Sequence, residues 1–263
     1  MTMKTLRGLI VPIAALAAVI LIYMENPWVR PEQISQGLRN ATTLAFWALS
    51  ILLLVLLFSD RRQPAADVIE VEGPAFTRYL FSNTRAGLFW LPIRIFVGFE
   101  WLTAGMHKLF PDGKAVGAGW LDGGNALLGF WTSAARIPDA ASGAKPPISF
   151  EWYRSILQVM IDNHAQNWFA YLVVFGEIAI GLGLLFGVLV GVASFFGATL
   201  NMSFLLAGTA STNPIMFALG ISLILAWRVA GWYGLDRYLL PLLGTPWTRR
   251  VTNHPVAAAP SRA

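Results

Sequence analysis

The stretch "RIFVGFEWLTAGMHKLF", Arg94 to Phe110, decides how this chain is read. It has the length and apolar character of a membrane helix. Yet Arg94 and Glu100 lie inside it, and His107 and Lys108 stand near its end. A charge near mid-bilayer costs about 2.5–3.5 kcal/mol on insertion scales, so such residues are functional candidates by default. At about 100° per residue, Glu100 and His107 share one face of this helix with Thr103. Arg94, Trp101 and Lys108 share another.

The rest of the chain agrees with a membrane setting. Of its 263 residues 56% are hydrophobic and only 13% charged, with a mean hydropathy of +0.58. Soluble domains carry about 25% charge. The shortage extends along most of the sequence, which implies an all-α polytopic membrane protein and not a soluble domain with an anchor. The net charge of +5 reads as Lys and Arg retained on the cytoplasmic side, not as a nucleic-acid surface. There is no cysteine. That excludes disulfides, thiolate metal sites, Fe–S clusters and thiol nucleophiles.

Spanning helices need about 20 mostly apolar residues. Six candidates are present: 6–24, 41–58, 86–106, 168–190, 192–208 and 215–230. The first reads as an uncleaved helix, since no small-residue cleavage site follows it before "YMENPW". Lys4 and Arg7 precede it, Arg61, Arg62, Arg78 and Arg85 lie between the second and third, and Arg237, Arg249 and Arg250 follow the sixth. The positive-inside rule then puts both termini in the cytoplasm. The expected organisation is a two-helix N-terminal extension (1–60), a cytoplasmic linker (61–85), a four-helix core (86–240) and a disordered cytoplasmic tail (241–263).

The outer segment 107–167, about 60 residues, is too long for an idle connection and too aromatic for disorder. "GNALLGFWTSAA" and "SFEWYRSILQVMIDNHAQNWF" read as short amphipathic helices across the outer mouth, joined by the turn-rich "PDAASGAKPP". Trp152, Ile156, Val159 and Met160 fall on one face of the second, with Ser149 as a candidate cap. Trp and Tyr at headgroup depth explain part of this pattern without any function. The segment's charges balance; only His107, Lys108 and Lys114 form a local positive group.

Further buried polar residues follow. Glu177 stands in "VVFGEIAIGLGLLFG", Asn201 inside the fifth span, and Arg228 and Asp236 at the inner face, where they can snorkel. Gly183, Gly187 and Gly191, four apart, allow close approach of another backbone; Gly176 is a further candidate. Two readings of the charges stay open. In one, Arg94 pairs with Glu100 or Glu177 and fixes helix positions. In the other, the groups line a polar cavity open to the outer side.

"LPIRIFVGFEWLTAGMHKLF" resembles the opening helix of the DoxX family, with its leading Arg and closing Gly-x-x-Lys-Leu. "GEIAIGLGLLFG" resembles that family's Glu-containing core helix, and "AGWYGLDRYL" its Gly…Leu-Asp motif. The resemblance covers about 86–240. The long aromatic segment, with "GWLDGGNALLGFW" and "EWY", is most similar to DoxD, the membrane subunit of thiosulfate:quinone oxidoreductase. It implies thiosulfate oxidised to tetrathionate on the outer side of the inner membrane, electrons passed to membrane quinone, and a small partner subunit resembling DoxA.

The residues can be matched to that chemistry. A thiosulfate dianion wants cations, for which Arg94, Lys108 and Lys114 are candidates. Quinone reduction takes up protons, which Glu100, His107 and Glu177 could supply. Phe99 and Trp101 could wall a quinone and Asn201 donate to its carbonyl. With no Cys and only three His, no haem, Fe–S or copper site is recognisable. No glycine-rich dinucleotide fingerprint marks a flavin or nicotinamide site, and no metal site is expected. A non-catalytic scaffold for a redox partner, or a small-molecule carrier, also accommodates buried charges; the broken helices and repeats usual in carriers are not evident.

Overall fold

A computed structural model describes residues 73–245, together with 12–13, 16–17, 41–42, 44–52 and 55. The described residues are helical, with no strand among them. The helices are α1 Ala75–Ser82, α2 Gly87–Leu109, α3 Asn125–Ala135, α4 Glu151–Asp162, α5 Gln166–Phe186, α6 Val190–Leu206, α7 Asn213–Leu225, α8 Trp227–Ala230 and α9 Asp236–Leu242.

Two units are distinguished: Met1–Glu72 with Phe150–Ile156, and Gly73–Ser149 with Leu157–Ala263. In the described part of the first, residues 41–52 are helical apart from the undescribed 43, and Trp47 meets Trp152 edge to face at 6.1 Å. The second unit holds α2, α5, α6 and α7. α2 packs most extensively on α5, and α6 on α7.

Glycine makes the α2–α5 seam. A Cβ at Gly181 would lie 2.5 Å from the Leu102 backbone nitrogen. One at Gly98 would lie 3.0 Å from Gly181 O, and one at Gly105 3.0 Å from the Ile178 nitrogen. These helices touch backbone to backbone, as small residues at membrane-type interfaces permit. Of the expected contact glycines, Gly183 meets Ala193, Gly187 meets Arg94 and Gly191 meets Trp227, all at the α5–α6 corner, whereas Gly176 has nothing within 4 Å. α5 ends where Gly187 turns left-handed at φ 68° and Val188 N–H bonds back to Gly183 O at 2.7 Å, a glycine-dependent helix stop.

The expected core spans 86–106, 168–190 and 192–208 correspond to α2, α5 and α6. The expected 215–230 span is broken at Ala226 into α7 and α8. Thr84–Leu109 and Gln166–Phe186 are long and apolar enough to cross a membrane; Val190–Leu206 and Asn213–Leu225 are apolar but shorter. Most of the first expected span, and residues 61–72 of the expected linker, lie outside the described residues.

Two boundaries differ from the sequence reading. The second half of the expected linker contains α1, because Leu80 and Phe81 pack on the core and Trp90 Nε1 donates to Leu80 O at 2.7 Å. The last helix runs on to Leu242, past the expected start of the tail.

Outward faces of the long helices are apolar. Phe96 and Phe99 on α2, Phe175 and Phe186 on α5, and Phe195 and Phe196 on α6 are each about half exposed. The charged Arg94, Glu177 and Asp236 are at most 1% exposed. Large apolar side chains are thus exposed on these helices, while three charged ones are buried within a largely apolar interior.

Candidate functional site

Buried charge meets α2 at two levels, at its C-terminal end and around Arg94, two turns in from its N-terminal end. At its C-terminal end, Lys108 Nζ donates to Glu177 Oε2 of α5 at 2.6 Å. Lys108 also donates to Ala104 O at 3.3 Å, and its ammonium stands 5.1 Å from the centre of the Trp120 ring. The Glu177 side chain is 1% exposed and that of Lys108 18%. The pair is thus a sealed carboxylate whose cation still reaches the surface. The segment after α2 returns here through Gly117 N–H to Leu109 O at 2.7 Å. α3 is anchored by Trp131 against Phe169 and by Phe130 against Phe204.

At the other level, Arg94 Nη2 donates to Tyr233 O at 3.1 Å. Its Nη1 fills the space a Cβ would take at Gly187 and Gly234. Asp236 is wholly buried and accepts from Leu189 N–H at 2.6 Å and Val190 N–H at 2.9 Å, satisfying the first orphan donors of α6. Burial pushes the Asp236 carboxyl above its ordinary pKa. The N–H groups of Val190 and Leu189 and the charge of Arg94 pull it back down. Asp236 therefore does not snorkel; it locks the α5–α6 corner to α9.

This settles which charges meet. Arg94 faces Asp236, and Glu177 is held by Lys108, so the expected pairing of Arg94 with Glu100 or Glu177 is corrected. Lys108 is 14 residues beyond Arg94, about 21 Å along the helix at 1.5 Å per residue. Arg94 therefore cannot share one anion site with Lys108 and Lys114. Sequence periodicity correctly grouped Arg94, Trp101 and Lys108 on one face. It missed Asp236 as the neighbouring opposite charge, because the two are 142 positions apart along the chain.

The other named residues divide by face. Gly98, Leu102 and Gly105, which meet α5, lie within about 60° of one another around α2, with Glu100 and His107 about 160–180° away. Glu100 thus turns from Glu177, half-buried, and forms no ion pair with another described residue. His107 and Lys114 are exposed. Phe99 is 58% exposed, whereas Trp101 is 4% and Asn201 2%. Phe99 and Trp101 therefore cannot wall one cavity. Trp101 Nε1 lies 2.9 Å from where a Gly197 Cβ would be, one helical turn from Asn201. Among the described residues no three His, Asp or Glu come together as metal ligands.

No family model, curated protein or solved structure matches the chain.

Proposed function

We propose that the chain is a polytopic inner-membrane protein working as the membrane subunit of a quinone-linked oxidoreductase, with thiosulfate as electron donor. The membrane setting is supported by the two helices of spanning length and by the outward phenylalanines around inward charge. Six spans, with both termini cytoplasmic, remain the reading favoured by the Lys and Arg distribution. The redox assignment rests on the DoxD-like motifs.

The observation that carries the site is the Lys108–Glu177 pair. Lys108 is its solvent-reaching member, with the exposed His107 next to it and the exposed Lys114 six residues on. This is where an outer anion meets positive charge without crossing the bundle. Glu177 is the carboxylate poised to change its proton when an anion draws Lys108 away. Two thiosulfate ions joined by an S–S bond release two electrons, and quinone takes up two electrons and two protons. A quinone ring arriving through lipid reaches Phe99 and Glu100 on the outward face of α2; Trp101 and Asn201 are sealed from that direction. The small DoxA-like subunit would cover the outer end.

The test is a membrane assay. Washed membranes holding the chain and a small partner subunit should reduce a quinone analogue when thiosulfate is added. No thiosulfate-dependent reduction removes the redox reading. One observation favours a second reading, a non-catalytic scaffold: Lys108 neutralises Glu177 and Arg94 faces Asp236, as purely structural charges would. That reading predicts a co-purifying partner and unchanged partner activity in Glu177→Gln.

A further inference from the structure

Four buried side-chain atoms on α6 or at the α5–α6 corner have no hydrogen-bond partner among the described residues: Ser194 Oγ, Asn201 Nδ2, Arg94 Nε and Arg94 Nη1. Ser194, Asn201 and Arg94 are each at most 2% exposed. A buried polar group left unsatisfied costs about 1–3 kcal/mol, so each needs an explanation.

Their arrangement supplies one. Val190, Ser194, Gly197 and Asn201 are spaced by four, three and four residues. At 100° per residue they fall within about 60° of one another, forming one stripe on α6. The stripe begins at the Asp236 carboxylate, which holds Val190 N–H. It passes Gly197, where the absent side chain admits the Trp101 indole N–H. Its far end is level with Glu177. Gly197 abuts Ile180, with a Cβ there 3.3 Å from Ile180 Cγ2. Asn201 is four residues on along α6, about 6 Å, and Glu177 three residues back along antiparallel α5, about 4.5 Å, toward the same end.

Neighbouring hydroxyls show that this is not carelessness of the backbone. Thr199 Oγ1 donates to Phe195 O, Ser203 Oγ to Thr199 O and Ser222 Oγ to Ala218 O, all between 2.8 and 3.0 Å. Each satisfies itself on the carbonyl four residues back. Ser194, the fully buried one, does not.

We propose that this stripe holds internal water molecules, bonded to Ser194 Oγ and Asn201 Nδ2 on either side of the Trp101 indole. Buried water forms about three hydrogen bonds to otherwise unsatisfied groups and recurs in interiors of this kind. From Ser194 to Asn201 the stripe rises seven residues, about 10 Å, longer than one water can bridge. The water at Asn201 brings a hydrated neighbour to the depth of the sealed Glu177 carboxylate. The proposal does not rest on the redox reading.

Two tryptophans provide the experiment. Trp90 is 3% exposed and Trp101 4%. Both rings lie in one apolar core, but Trp90 spends its N–H on Leu80 O, whereas the Trp101 N–H faces the stripe at Gly197. Hydroxyl radicals generated by an X-ray pulse label sealed side chains only where water is bound beside them. In full-length protein in lipid nanodiscs, without thiosulfate or quinone, Trp101 should be oxidised several-fold faster than Trp90. Ser194→Ala and Asn201→Leu should each slow Trp101 and leave Trp90 unchanged. If Asn201→Leu fails to fold, Ser194→Ala, which removes one oxygen, decides. Equal labelling of the two tryptophans, or a Trp101 rate indifferent to the variants, overturns the proposal.

Discussion

Replacing Lys108 by Met tests the outer pair directly. The change keeps the length of the stem and removes the ammonium that stands 2.6 Å from Glu177 Oε2. It leaves a carboxylate 1% exposed with no cation. Breaking a buried ion pair by removing one partner costs about 3–5 kcal/mol. Lys108 is 18% exposed, so water screens the pair somewhat and the low end, about 3 kcal/mol, applies. For a chain of this size each kcal/mol shifts Tm by about 2–4 °C, giving a loss of about 6–12 °C. Replacing both partners, Lys108→Met with Glu177→Leu, removes the stranded charge along with the pair. Such exchanges are often close to neutral, so the double variant should return to within about 1 kcal/mol of wild type. Thermal unfolding in nanodiscs, followed by tryptophan fluorescence, reads both. A Lys108→Met protein that melts with wild type, or a double variant that melts no higher than the single one, would refute a stabilising role for this pair.

Further outcomes follow from the same geometry. Gly181→Ala should cost about 1–3 kcal/mol in the same unfolding assay, since its Cβ would meet Leu102 backbone at 2.5 Å. Gly176→Ala, with open space around it, should cost nothing and gain up to about 1 kcal/mol of helix propensity. Asp236→Ala should cost about 1–3 kcal/mol by stranding the N–H groups of Leu189 and Val190, and Asp236→Asn less, because it keeps one acceptor. Trp120→Leu should cost about 0.5–1 kcal/mol through loss of the contact with the Lys108 ammonium, and the loss should vanish in a Lys108→Met background.

Much of the bundle is legible in the sequence because apolar runs and helix period act locally. The core helices α2, α5 and α6 begin and end within a few residues of the hydrophobic boundaries, and "GNALLGFWTSAA" forms the short helix read from its pattern, whereas "SFEWYRSILQVMIDNHAQNWF" is divided, its helix ending at Asp162 and its last residues opening α5 at Gln166. The last expected span did not survive whole, since the backbone bends at Ala226 within an uninterrupted apolar run. α1 was hidden because a helix of eight residues gains its stability from packing against Trp90, which composition does not reveal. For the charges, periodicity identified the face carrying Arg94 and Lys108 but not their partners. Arg94 comes to the corner that Asp236 holds because Gly187 and Gly234 leave room for its guanidinium. Glu100 looked equivalent to Glu177 by type and depth; 100° per residue turns it the other way. Polar satisfaction, which separates Ser194 from its neighbouring hydroxyls, is invisible until the side chains are placed.

The central claim is that Lys108 and Glu177 form a working pair and not merely a brace. Steady-state kinetics of thiosulfate-dependent quinone reduction, on purified chain with the proposed small partner subunit, tests it most directly. Glu177→Gln should lower kcat by tenfold or more with KM for thiosulfate little changed, while Lys108→Ala should chiefly raise KM. Wild-type kcat and KM in both folded variants would contradict the account and leave the pair a structural element alone.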